Sequence, residues 1–188
     1  MFDYLLTKSS KRGNIVLKTT LKGVGMKNKV IYYSNESEDN FSGDNITPRK
    51  IDGSYVYDKP SRIHKIACFF WYRVVATPLA FIYAKTVYQH KTENREVLKK
   101  YENTGYFMYG NHTHNYMDPC IPSIISFPRD CYIIVHPNNV SMPILGKLTP
   151  YMGAIPLPDD IEAYSNFISV MKKRIEEKKT VGSAAKTT

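Results

Sequence analysis

The segment Asn111-His112-Thr113-His114-Asn115-Tyr116-Met117-Asp118 places two imidazoles and a carboxylate within eight residues. A carboxylate beside a histidine holds the ring in one tautomer and stabilises the imidazolium that forms when the ring takes a proton. That is the base-and-orienter pair of general acid–base chemistry. Five residues separate His112 from Asp118, and three separate His114 from it. A compact turn leading into a helix brings either pair together.

Two other readings use the same residues. His-x-His followed by Asp is also a zinc pattern. In the zinc-hydrolase form His-x-His-x-Asp-His, however, the Asp and the last His would fall on Tyr116 and Met117, and His64, His90 and His136 stand alone in the chain. The plainest reading has His112 capping a helix and Asp118 ending a turn before Pro119.

Elements must hold this segment in place. Tyr106-Phe-Met-Tyr109 reads as a strand closed by Gly110, and residues 121–126 as an apolar helix, so the segment lies at a strand's C-terminal end, where sites in α/β sheets collect. The pattern predicts a short strand over 86–90 and a charged helix over 93–102 that stops at Gly105. It predicts a buried strand over Cys131–Val135, a short helix over 142–151 and a strand over 154–157. A long helix then runs to Lys179, capped by Asp159 or Asp160, with Ile161, Tyr164, Ile168, Met171 and Ile175 on one face. Alternating strands and helices of these lengths imply an α/β fold with a largely parallel sheet flanked by helices. No strand is expected after Lys179, so the fold reads as incomplete at the C-terminus and the chain as a truncated form of a longer one.

Upstream, residues 66–84 are the most apolar stretch, close to the length of a membrane span. Arg73 and Pro78 argue against a simple span, since a mid-span charge costs roughly 2.5–3.5 kcal/mol. Two readings remain: a kinked interfacial helix with Trp71 and its tyrosines at headgroup depth, or a core helix of a soluble domain. Residues 4–35 carry seven Lys and Arg and no acid, which suits a basic arm, a solvated extension or a start at Met26. Val30-Ile-Tyr-Tyr33 reads as a short strand and 36–44 as an acidic loop. The division expected is a basic, loop-rich extension over 1–60 and an α/β domain over 61–188.

Composition narrows the function classes. The 188 residues are 43% apolar, enough for one sizeable core, and carry 26 Lys and Arg against 17 acids for a net charge of +9. That charge favours an anionic partner. Cys68, Cys120 and Cys131 leave one unpaired and have no metal spacing, which fits a reducing cytoplasm. There is no nucleotide-binding glycine loop, helix-turn-helix, finger or aromatic sheet motif, so nucleic acid would rest on charge alone.

Tyr109-Gly110-Asn111-His112-Thr113, followed by Asp118-Pro119, resembles the first sequence block of the glycerolipid acyltransferases, the lysophosphatidic acid acyltransferases and their relatives. The family signature has four residues between His and Asp; His112 with five is similar to a bacterial subgroup with longer spacing, and His114 remains the alternative. Gly153-Ala154-Ile155-Pro156-Leu157-Pro158 is similar to the family's second block, a Gly-x-Ile/Phe-x-x-Arg strand, with Pro158 where the Arg would stand. The third, Pro-Glu-Gly-Thr-like block has no counterpart. The resemblance covers residues 60–179.

The resemblance implies a fatty acyl transfer from a thioester or acyl-phosphate donor to the free hydroxyl of a lysophospholipid such as 1-acylglycerol-3-phosphate, in phospholipid synthesis. It implies His112 as the base and Asp118 as its orienter, with Asn111, Thr113, His114 and Gly153 around the substrate. Arg129 and Lys147 are the cations left to hold the acceptor phosphate. No metal and no cofactor are implied; acyl-CoA, acyl-ACP (acyl carrier protein) or acyl phosphate enters as co-substrate. The expected location is the cytoplasmic face of an anionic membrane, with no nucleic acid partner. The alternatives are an inactive truncated lipid-binding chain and, behind it, a zinc-dependent hydrolase.

Overall fold

The structure, a computed structural model, describes residues 2–7, 15–20, 47–111 and 117–185. The expected strand at Val30 and the acidic loop over 36–44 lie outside them.

Among the described residues seven strands form one sheet in the order β3-β2-β1-β4-β7-β5-β6. β1 (Phe2–Thr7), β2 (Ile15–Thr20) and β3 (Lys91–Thr92) pair antiparallel, and β1 lies antiparallel to β4 (Tyr106–Asn111). From β4 onward the sheet is parallel: β4, β7 (Thr180–Ala185), β5 (Cys131–Val135) and β6 (Ala154–Pro156). The α/β class is therefore present as four parallel strands flanked by helices. Two strands from the basic N-terminal stretch extend the same sheet.

The helices are α1 (Arg62–Phe69), α2 (Thr77–Thr86), α3 (Cys120–Ser126), α4 (Pro137–Ser141), α5 (Leu145–Leu148) and α6 (Ile161–Glu176). α3 packs on one face of the sheet. Its Ile121, Ile124 and Ile125 join Tyr106 and Met108 of β4, Met117, and Ala84 and Tyr88 of and after α2. Each isoleucine and methionine there contributes roughly 1.5–3 kcal/mol by leaving water. α6 covers the opposite face, where Phe167 and Val170 pack with Ile155, Tyr132 and Ile134. The period-two alternation of β5 makes this possible: Cys131 and Ile133 face α3, while Tyr132 and Ile134 face α6.

β7 corrects the expectation that the chain has no strand after Lys179. Thr180–Ala185 runs through the middle of the sheet, hydrogen-bonded to β4 on one side and β5 on the other. Its composition, Thr-Val-Gly-Ser-Ala-Ala, lacks the β-branched alternation that marks a strand. The packing explains the small residues. A Cβ on Gly182 would come within 3.0 Å of Ile133 Cδ1 and 3.1 Å of Pro122, so α3 approaches the sheet there only because position 182 is glycine.

α1 and α2 form one 25-residue helix with a π-helical stretch, Phe70–Ala76, between them. Pro78 cannot bond to the carbonyl one turn back, and the chain widens just before it instead of breaking. Both the backbone N–H and the Oγ1 of Thr77 donate to the Tyr72 carbonyl, the hydroxyl at 2.7 Å. The helix thus runs through residue 86, none of 86–90 is the expected strand, and a two-residue strand follows at Lys91–Thr92. The charged helix over 93–102 is a 3-10 helix, Arg95–Tyr101. The helix over 142–151 is split into α5 and a 3-10 turn, Thr149–Met152. Asp160 caps α6, its carboxylate accepting from Ala163 N at 2.8 Å, worth about 1 kcal/mol.

Candidate functional site

β4 alternates cleanly. Tyr106, Met108 and Gly110 are buried towards α3, and Asn111 ends the strand exposed at its C-terminal edge. Across the sheet the same edge holds Ala185, the pair Val135–Pro156, and then His136 and Leu157. His112, Thr113 and His114 follow Asn111 and lie outside the described residues.

The chain is described again at Met117. The turn there is closed by Cys120 N and Ile121 N donating to the Met117 carbonyl at 2.8 and 3.1 Å. Met117 and Ile121 are fully buried, and between them Asp118 is 1% exposed. A carboxylate this deep is placed by its neighbours' packing and has little freedom to turn towards bulk water. Its charge also reaches Cys120. Burial first, then the Asp118 charge, push that thiol up to about 11, so Cys120 is a protonated thiol at neutral pH and a poor nucleophile. Ser123, the other nearby hydroxyl, lies 3.4 Å from Tyr72 Oη. The same Tyr72 hydroxyl accepts from Cys131 N at 2.8 Å and donates to the Cys131 carbonyl at 3.2 Å.

The remaining expected residues do not gather around Asp118. Arg129 donates to the carbonyls of Thr104, Tyr101 and Glu102 at 2.6, 2.9 and 2.7 Å and lies over the Tyr106 ring at 4.9 Å. It therefore clamps the N-terminal end of β4, about 16 Å along the strand from Asn111 at about 3.3 Å per residue. A phosphate-holding role for Arg129 beside Asp118 is not what this geometry provides. Gly153 is also at the N-terminal end of the parallel strands, and its role is conformational. Its φ is +88°, and a Cβ there would meet the Cys131 carbonyl at 3.0 Å. Lys147 is exposed on α5, the short helix on the path from α4 to β6. Pro158, where the resembling family carries its Arg, follows β6 at the C-terminal edge.

His136 stands at that edge too, a residue that isolation in the sequence hid. Its Nδ1 accepts from Asn138 N at 3.3 Å, which leaves Nε2 as the nitrogen carrying the proton in the neutral ring. The signal that would have found it was its position directly after the well-marked strand Cys131–Val135. Among the described residues no three His, Cys, Asp or Glu side chains gather into a metal-holding group.

The described residues offer a buried carboxylate in the turn that opens α3, and an exposed amide and an exposed imidazole at the C-terminal ends of β4 and β5. Compared with protein-family models, curated proteins and solved structures, the chain matches none.

Proposed function

We propose that this chain is an acyltransferase that moves a fatty acyl group from a thioester or acyl-phosphate donor to the free hydroxyl of a lysophospholipid such as 1-acylglycerol-3-phosphate, at the cytoplasmic face of an anionic membrane. The observation that carries the reading is Asp118: a carboxylate 1% exposed, in the turn between a parallel strand and the helix that follows it, seven residues after Asn111. A fixed carboxylate in such a place suits the orientation of an imidazole and the stabilisation of its cation.

In this reading His112 takes the proton of the acceptor hydroxyl while Asp118 holds the ring and balances its charge. The resulting alkoxide attacks the donor carbonyl, the new ester bond forms, and the thiolate or phosphate leaves. The proton on His112 then passes to the leaving group or to water. The protein supplies no nucleophile, which agrees with the protonated state of Cys120.

The test is acyl transfer to lysophosphatidate with acyl-CoA, acyl-ACP and acyl phosphate as donors. His112→Ala is expected to lower the rate at least about 100-fold, the size of losing a general base. Asp118→Asn is expected to lower kcat with the acceptor KM little changed. Full activity in His112→Ala with loss in His114→Ala would move the base to His114. Full activity in both would remove this mechanism.

A second reading is favoured by one observation, the exposed apolar helix Arg62–Thr86: a lipid-binding chain without catalysis. Vesicle binding with no transfer from any of the three donors would select it.

A further inference from the structure

Two metal-binding side chains one turn apart meet on the first half of the long helix. His64 Nε2 lies 3.4 Å from Cys68 Sγ, at the i and i+4 positions that share a helix face. Imidazole nitrogen and thiolate sulfur are zinc donors, at about 2.0–2.1 and 2.3 Å from the ion. Two such donors on a tetrahedral ion stand about 3.5–3.6 Å apart. The pair already stands within about 0.2 Å of that spacing.

Both side chains are partly exposed and Cys68 is in no disulfide, so an ion can reach them from solvent. The His64 ring is steadied by Tyr151, whose ring lies 4.9 Å away, and a metal-binding imidazole depends on being held in this way. Asp58, Lys59 and Arg174 are the charged groups that act on the thiol. Asp58 attracts a cation, and the two basic residues favour the thiolate that a cation requires.

α1 itself gives the pair a use. No α1 residue is buried, Ser61 at its N-cap makes no side-chain bond to it, and no acid stands in its first turn. The start of the long helix thus lacks the packing, the cap and the charge that usually secure one. α6, by contrast, has three buried residues and the Asp160 cap. A link from one turn to the next supplies on α1 what those features supply on α6.

We propose that His64 and Cys68 bind one Zn2+ per chain and clip the first two turns of the long helix. The ion bonds to Sγ and to the Nε2 lone pair, and the thiol proton leaves to solvent. Sulfur and nitrogen donors at tetrahedral spacing select zinc over magnesium or calcium, which take oxygen. Among the described residues no third His, Cys, Asp or Glu joins the pair, so two positions on the ion are open to water or to an added ligand. Neither residue belongs to the segment around Asp118, and the site does not require acyl transfer.

The experiment titrates the full chain with Zn2+ against a chromophoric chelator, and with Cd2+ while the thiolate-to-metal charge-transfer band is followed in the ultraviolet. Mg2+ is the control ion. One Zn2+ per chain and a Cd2+ band of one thiolate are expected, with Mg2+ displacing neither. Cys68→Ser is expected to abolish the band and to weaken Zn2+ at least about 10-fold, and His64→Gln to weaken Zn2+ by as much. Cys68→His keeps two donors one turn apart, so it should hold Zn2+ within about 10-fold of the unaltered chain and give no band. Zn2+ should slow amide exchange over residues 62–69 in the unaltered chain and in Cys68→His, and not in Cys68→Ser. Neither His64 nor Cys68 is buried, so without metal all the variants should share one melting temperature. No band in the unaltered chain, a band that survives in Cys68→Ser, Zn2+ affinity unchanged in Cys68→Ser and His64→Gln, or exchange over 62–69 that Zn2+ leaves unchanged, overturns the proposal.

Discussion

At the residue scale, Asp118 and Arg129 show opposite relations between sequence and place. Both are charged residues near the same strand. Asp118 was legible because strand, turn, carboxylate and helix follow one another within a few residues, and local order of that kind survives folding. Arg129 stands out in the sequence only as a nearby cation, and nothing in a linear sequence says which end of β4 it meets. Its three carbonyl partners at 101, 102 and 104 make it a clamp on the chain entering β4. Hydrogen bonds from a charged group contribute about 1.5–3 kcal/mol each when buried, and less at this half-exposed site. Arg129→Ala is therefore expected to lower unfolding free energy by about 2 kcal/mol in urea titration. The acceptor KM in the transfer assay should stay within about twofold, because the guanidinium does not face the Asp118 edge. A large KM rise at unchanged stability would return Arg129 to the substrate.

At the element scale, α6 tests how far periodicity reaches. Its existence and its Asp160 cap follow from the pattern, but it ends at Glu176 and not at Lys179, and its inward face is rotated. Of the expected stripe, Ile161, Tyr164 and Ile168 point outward, with Ile161 91% exposed, while Met171 is half-buried against the core and Ile175 half-buried; the buried positions are Ala163, Phe167 and Val170. The rotation has a cause in Arg174, which continues the buried stripe. Its guanidinium lies over Tyr132 at 4.5 Å and pairs with Asp58 at 3.0 Å, so a charged residue covers the sheet with its stem where an apolar count would exclude it. Phe167→Ala is expected to cost about 3–5 kcal/mol and Ile161→Ala no more than about 0.5 kcal/mol, measured by the same urea titration. The reverse order would place the original stripe inside.

The long helix over residues 62–86 carries a second element-scale consequence. Ile63, Ile66, Phe69, Val74, Leu79 and Ile82 are all more than half exposed, and no acid occurs between Arg62 and Lys91. Of the two sequence readings, burial in a soluble core is the one this exposure argues against. An apolar face flanked by Arg62, Lys65 and Lys85 suits the interface of an anionic bilayer. The double variant Ile66→Glu/Phe69→Glu removes two side chains worth roughly 1.5–3 kcal/mol each on burial. Its partition onto phosphatidylglycerol vesicles should fall at least about 100-fold, with the melting temperature unchanged because neither side chain is in the core. Undiminished partition would leave that face without a lipid role.

At the scale of the whole molecule, the fold depends on joining segments distant in sequence, which no local pattern encodes. β7 was invisible because its small residues answer to α3 and to its two neighbouring strands, not to any local pattern. The stretch before the long helix is joined in the same non-local way. Ile51 is fully buried and its N–H donates to Asp159 at 2.6 Å, while Asp58 pairs with Arg174 and Lys173 on α6. The Lys173 hydrogen bond, followed by that of Arg174, outweighs desolvation and lowers the Asp58 pKa below 3.8. A lowered carboxylate pKa stabilises the fold above the unfolded value and loses that contribution as pH falls through the folded value. His64 and His90 act in a higher window. Burial lowers both below 6.5, so as pH falls from 6.5 the unfolded chain takes up protons that the folded chain refuses, and stability drops. Urea midpoints from pH 8 to pH 3 should therefore fall in two stages, the first beginning near 6.5 and the second below about 4. Asp58→Asn should lower the plateau and flatten only the acid stage, because it removes the charge that tethers residues 47–60 to α6 and leaves both histidines in place. His90→Gln should flatten the upper stage alone. An acid stage that persists unchanged in Asp58→Asn would show that the tether across α6 does not carry the molecule's acid sensitivity.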